Sequence, residues 1–202
     1  MARPRERFVS YAIAAILLCC GAMLLAKQAY LGAKAAVAGV LISRTQEQDR
    51  PWPWADMTLL GELEVPRLEL RRAILSGATT ESLAFGVGHL DGSAPLNGDG
   101  NCVLAGHRGG VFKFLGALQI GDELRVHTGD TVREWVVAET WVVSADDLAA
   151  LQETDSSTLT LITCWPIDGL WSSEERLIVR CEGLPPLASR RGERVPSACV
   201  PS

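Results

Sequence analysis

Metal-ligand spacing is missing from this chain. Its six cysteines include no C-x-x-C pair, and histidine is limited to His89, His107 and His127. That pattern excludes the usual structural zinc sites. The short acidic pairs Asp146-Asp147 and Glu174-Glu175 are too few for a dedicated calcium site and read as solvated faces. No metal and no cofactor is expected. Basic runs are missing too: 19 Lys plus Arg against 24 Asp plus Glu leave a net charge of −5 with no basic patch. Nucleic acid is therefore excluded as a partner. No internal repeat occurs, so a solenoid is out. Cys102, Cys164, Cys181 and Cys199 do not form a dense disulfide framework, and two buried free thiols at Cys102 and Cys181 are expected rather than a bridge.

What is present starts at the N-terminus. Residues 8–26 carry no charge, and Arg3, Arg5 and Arg7 precede them. A run of that length spans a hydrocarbon layer of ~30 Å, and the arginines favour an N-terminus in the cytoplasm. A cleaved signal peptide fits less well, because the run exceeds a typical h-region and no clean A-x-A site follows it within reach. Cys19 and Cys20 sit inside the run as small apolar residues; Ile16-Leu17-Leu18 lacks the small residue that precedes a lipid-modified cysteine. The expected organisation is a basic cytoplasmic stretch (1–7), a transmembrane anchor (8–26), a helical stalk ending in a Pro/Trp strap with Trp52 and Trp54 (27–54), a catalytic domain (55–182) and a mobile tail (183–202). This places the protein in the inner membrane as a single-pass chain, its main domain on the extracytoplasmic side.

From Leu59 onward the pattern turns to short strands. Alternation over 61–68 predicts a strand, Arg71-Arg-Ala-Ile-Leu75 follows as a second, and Thr79 caps a helical turn. The glycine-rich stretch 86–101 reads as a loop, 110–118 as a short helix, 123–127 and 131–143 as a hairpin, and 144–148 as a capped helix start. Such a series indicates a mostly β fold, a small barrel or sandwich.

Three side chains at strand edges carry chemistry. Cys164 ends the run Thr158-Leu-Thr-Leu-Ile-Thr-Cys164, His107 follows Val103-Leu-Ala-Gly, and Arg176 opens Arg176-Leu-Ile-Val-Arg180. Each alone has a plainer reading, as buried filler, turn residue or surface charge. Together they are the parts for acyl transfer through a thioester: a nucleophile, a proton carrier and a fixed cation for the oxyanion. With ordinary pKa values near ~8.5 and ~6.5, the thiolate–imidazolium form is only ~1% of molecules at neutral pH, which implies modest turnover and a bell-shaped pH profile.

These motifs resemble the sortase family of membrane-anchored cysteine transpeptidases. The resemblance runs roughly from Leu63 to Glu182 and rests on Gly86-Val-Gly-His89, Gly100-Asn-Cys-Val-Leu-Ala-Gly-His-Arg-Gly109, the run ending at Cys164, and Arg176-Leu-Ile-Val179. Pro-Trp-Pro-Trp and the Trp165-Pro166 pair are similar to a Gram-negative, marine-proteobacterial subgroup. The resemblance implies an eight-stranded β-barrel with short helices after the N-terminal transmembrane helix. It implies that Cys164 attacks a C-terminal sorting signal similar to Leu-Pro-x-Thr-Gly on a protein substrate. His107 protonates the leaving amine, Arg176 holds the oxyanion, and an amine nucleophile of unknown identity resolves the thioester. Ala105, Thr163, Trp165 and Trp171 are the expected substrate contacts, Trp171 as a channel wall, while His89 reads as structural and His127 as exposed. Two alternatives stay open: a tethered cysteine protease that only hydrolyses its substrate, and a non-catalytic peptide-binding envelope barrel.

Overall fold

The computed structural model describes residues 4–45, 49–51, 56–169, 171 and 174–184. The strap residues Trp52 and Trp54, Cys199 and the tail from 185 lie outside the described residues. The chain divides into two compact units, Met1–Leu41 and Ile42–Ser202.

Helix α1 (Pro4–Arg44) forms the body of the first unit. Alanine and leucine, both strong helix formers, supply much of it. Among the described residues no helix is long and apolar enough to cross a membrane. The side chains of 8–15, part of the charge-free run, lie outside the described ones.

The second unit is built from β1 (Leu59–Val65), β2 (Leu70–Ser76), α2 (Thr80–Phe85), β3 (Val87–His89), β4 (Asn101–Ala105), β5 (Glu123–Thr128), β6 (Thr131–Ser144), β7 (Thr158–Trp165) and β8 (Glu175–Gly183). The strands close into a barrel in the order β1-β2-β3-β4-β7-β8-β6-β5. Closure leaves no open sheet edge. The expected eight-stranded barrel is what forms. Two pairings are parallel, β2 with β3 and β4 with β7. Inward residues alternate along each strand: Leu63 and Val65, Cys102 and Leu104, Leu159 and Leu161, Leu177 and Val179 join Phe112, Leu124 and Trp135 in one core.

Several local expectations change. Part of the glycine-rich stretch is not loop: Val87–His89 forms a strand between β2 and β4. Only non-local partners make it a strand, so no periodicity announces it. The 110–118 segment forms a 3-10 turn over Lys113–Ala117 that buries Phe114 and Leu115. The helix start expected at 144–148 is a turn in which Asp147 Oδ1 accepts from the Ala149 amide at 2.9 Å, followed by a 3-10 turn, Ala149–Leu151. His127 is not exposed. It is half-buried, with Nε2 2.6 Å from Glu64 Oε2 across the β1–β5 pair.

Cys102 and Cys181 are free and buried, as expected. Both pair with Leu159, from opposite sides of β7. Two interstrand spacings of ~4.8 Å place their Cα atoms beyond disulfide reach. Desolvation pushes the Cys102 thiol up to about 12, against a smaller downward pull from Arg133, and raises Cys181 as well.

Candidate active site

Strand register decides where the three chemical side chains meet. Cys164 on β7 lies directly opposite Arg176 on β8 in an antiparallel pair. Directly opposite residues share one face of the sheet, with Cα atoms about 5 Å apart. On the other side of β7, β4 runs parallel in the register Asn101↔Thr158 through Ala105↔Ile162. The pairing continues past the end of β4, where the Gly106 amide donates to Ile162 O at 3.2 Å. Two residues beyond Ala105 and two beyond Ile162 stand His107 and Cys164. Carried two residues past its last pair, that register sets His107 next to Cys164, which itself faces Arg176, with neighbouring strand paths ~4.8 Å apart.

They also stand outside the core. Leu159 and Leu161 point inward, so Ile162 and Cys164 belong to the outer face. His107 is exposed, and Ala105, Ile162, Cys164 and Arg176 are partly exposed. One step away along the same face, Val103, Thr160 and Ile178 are fully buried. The β6–β7 connection covers them. Asn101 Nδ2 donates to Ala150 O (3.0 Å) and Gln152 O (2.9 Å), and Arg180 Nη2 donates to Ala150 O at 3.2 Å. Thr160 Oγ1 in turn donates to Asn101 Oδ1 at 2.7 Å. What stays open is a strip of outer face bounded by this connection on one side and the β7–β8 loop on the other.

His107 is held through its backbone. Its carbonyl accepts from the Gly110 and Phe112 amides, both at 3.1 Å. Gly106 has to be glycine here, because a Cβ would lie 2.6 Å from the ring of Phe112, a fully buried core residue. The Gly106 carbonyl accepts from Thr163 Oγ1 at 2.7 Å.

That bond corrects the expectation for Thr163. Its side chain is buried and committed to Gly106, so it positions the His107 segment rather than touching substrate. Trp165 is partly exposed and packs against the core cluster. Ala105 does reach the outer face, beside Ile162. Trp171 is 84% exposed in the β7–β8 loop. His89 is structural, its Nε2 2.9 Å from Ala94 O. Asn101, Arg108 and Arg180 went unnoticed in the sequence. For Asn101 a signal was there, since an amide inside an apolar strand must find partners when buried.

A thiol, an imidazole and a guanidinium at the ends of neighbouring strands of a closed barrel are the groups that acyl transfer through a thioester uses. A family model described as "Sortase domain" matches residues 63–183. The chain belongs to the sortase family. It is 31% identical over 120 residues to Sortase D of Bacillus subtilis (strain 168), covering 59% of this chain and 61% of that protein. The chain therefore spans less than two thirds of that relative's length. Among solved structures, sortase C1 of Streptococcus agalactiae matches with a TM-score of 0.58 and 30% identity, over 63% of this chain and 68% of that one. The Clostridium perfringens Sortase D5 transpeptidase matches with a TM-score of 0.58 and 26% identity, over 63% and 80%.

Proposed function

We propose that this protein is a membrane-anchored cysteine transpeptidase. Cys164 attacks the backbone carbonyl of a C-terminal sorting signal similar to Leu-Pro-x-Thr-Gly. His107 gives a proton to the departing amine, and the Arg176 guanidinium stabilises the oxyanion as the tetrahedral centre forms and collapses. The Cys164 thioester then passes the acyl group to an amine, and a new amide bond forms. The register that sets His107 next to Cys164, and Cys164 opposite Arg176, carries this reading, with the family membership behind it. Acyl transfer needs all three groups around one carbonyl, and the register of β4, β7 and β8 supports that convergence.

Ala105 and Ile162 would form the floor under the substrate, and Trp171 would face it from the β7–β8 loop. The charge-free run 8–26 and the arginines before it support an inner-membrane anchor, with the barrel on the extracytoplasmic side. The test of the chemistry is mass spectrometry on the chain incubated with a Leu-Pro-Ala-Thr-Gly peptide. A thioester at Cys164 and an amide product on adding hydroxylamine or triglycine support transfer. Hydrolysed peptide alone, even with amine in excess, would mark a protease instead. Absence of any adduct on a panel of sorting-type peptides would leave a non-catalytic barrel. Alkaline carbonate extraction tests the anchor: the chain should stay with the membrane, and removal of 1–26 should release it.

A further inference from the structure

Arg108 follows His107 directly, and the chemistry above gives it no part. Its guanidinium spans to a different loop. Nη1 donates to Trp165 O at 3.4 Å and to Pro166 O at 3.1 Å, and Nη2 donates to Trp171 O. All three acceptors lie in the stretch that joins Cys164 to Arg176. A guanidinium suits this task because its planar fork offers several donors in fixed directions, whereas an ammonium is a single point donor.

The receiving loop is shaped for it. The Gly169 amide donates to Pro166 O at 3.0 Å, closing a tight turn. A Cβ on Gly169 would lie 2.9 Å from Arg108 Nη1 and 3.1 Å from Pro166 O. A side chain there would drive the guanidinium out. On the other side, Arg108 leaves a turn that the His107 carbonyl and the buried Phe112 hold to the core. The anchored end is thus the histidine turn, and the held end is the loop carrying Trp171.

We propose that Arg108 is a positioning residue that ties the β7–β8 loop to the His107 turn and so sets substrate affinity. The proposal rests on the acyl-transfer reading of the site. Holding Trp171 at a set distance from the strip fixes one wall before substrate arrives, so binding does not have to order that loop. The role is in binding rather than in the bond-making step, because both terminal nitrogens of Arg108 donate to loop carbonyls.

Two readouts on the full chain in detergent micelles decide it. In hydrogen exchange, Arg108→Ala should speed exchange of loop amides over 166–174 while β4, β7 and β8 keep their protection. With a quenched Leu-Pro-Ala-Thr-Gly peptide, KM should rise about tenfold and kcat change by less than about threefold, as for loss of charged hydrogen bonds that hold ground and transition state alike. Arg108→Lys should restore only part of the affinity. Unchanged loop exchange overturns the proposal; so does faster exchange with an unchanged KM, or a fall in kcat alone. Should Arg108→Ala lose protection throughout the barrel, Gly169→Ala takes its place, since it displaces the guanidinium and keeps the arginine. A wild-type chain that acylates on no sorting-type peptide overturns the transpeptidase reading and the affinity role with it. The exchange arm still decides separately whether Arg108 holds the loop.

Discussion

Cys164, Cys102 and Cys181 share one side-chain chemistry and differ only in which way a strand turns them. Cys102 and Cys181 point into the core, where desolvation disfavours the thiolate and raises both thiols, Cys102 to about 12. Cys164, on the outer face, meets solvent. Iodoacetamide at pH 8 should therefore alkylate Cys164 in the folded chain and leave Cys102 and Cys181 unmodified until denaturant is added, as read by peptide mapping. Modification of the two core thiols at a comparable rate would show that the barrel opens readily. Arg176 is the other residue with a clear expectation. Removing a cation aimed at a developing oxyanion costs about 10²–10³ in kcat, so Arg176→Ala should fall by that order, measured as amide product per unit time. Arg176→Lys should recover part of the loss, since charge returns without the planar fork.

Among the elements, the β6–β7 connection depends on a few polar anchors rather than on apolar burial. Asn101 is its chief fastening: buried on β4, it donates to Ala150 and Gln152 carbonyls and accepts from Thr160. Asn101→Ala leaves the Thr160 hydroxyl and the Gln152 carbonyl short of a partner, while Ala150 O keeps Arg180. Loss of about 2 kcal/mol or more is expected in a denaturant titration, at about 1–3 kcal/mol per buried group left unpaired. Exchange over 145–157 should rise first, because the connection loosens before the barrel does. How much of these elements was legible in advance follows the range of their causes. β7, β8 and the β5–β6 hairpin have local alternation and a turn, and they lie where the sequence places them. β3 and the two 3-10 turns at 113–117 and 149–151 depend on distant contacts, and local pattern misplaced them.

For the whole molecule, carboxylates with cation partners couple stability to pH. Asp122 receives Arg67 Nε at 2.5 Å and Nη2 at 2.6 Å, and accepts from the Gln119 amide at 2.7 Å. The Arg67 bond, assisted by the Gln119 amide, holds its carboxyl below the usual range against the opposing effect of burial. Glu64 is lowered likewise, first by its hydrogen bond from His127 and then by Arg71. A carboxyl whose folded pKa is depressed binds fewer protons in the native state, so its contribution is fully present above the unfolded value of ~4 and is lost as pH falls below it. Stability should be flat with respect to these two groups from pH 7 to about 5 and drop below about pH 4. Asp122→Asn should flatten that acid limb while lowering stability at pH 7. A limb of unchanged slope in the variant would remove Asp122 from the account.

Composition, apolar periodicity and motif residues pointed, from the chain alone, to a mostly β domain and to the three side chains proposed to carry chemistry. Those properties are local, since residue type and short-range alternation generate them. Tertiary structure alone decided that Cys164 faces Arg176 and that the strand before His107 runs beside β7, because register between strands distant in sequence has no local signature. It likewise turned Thr163 and Trp165 inward, gave Asn101 its partners and set Arg108 against the β7–β8 loop. A side chain's partner across a barrel depends on how the sheet closes, and closure is a property of all eight strands together.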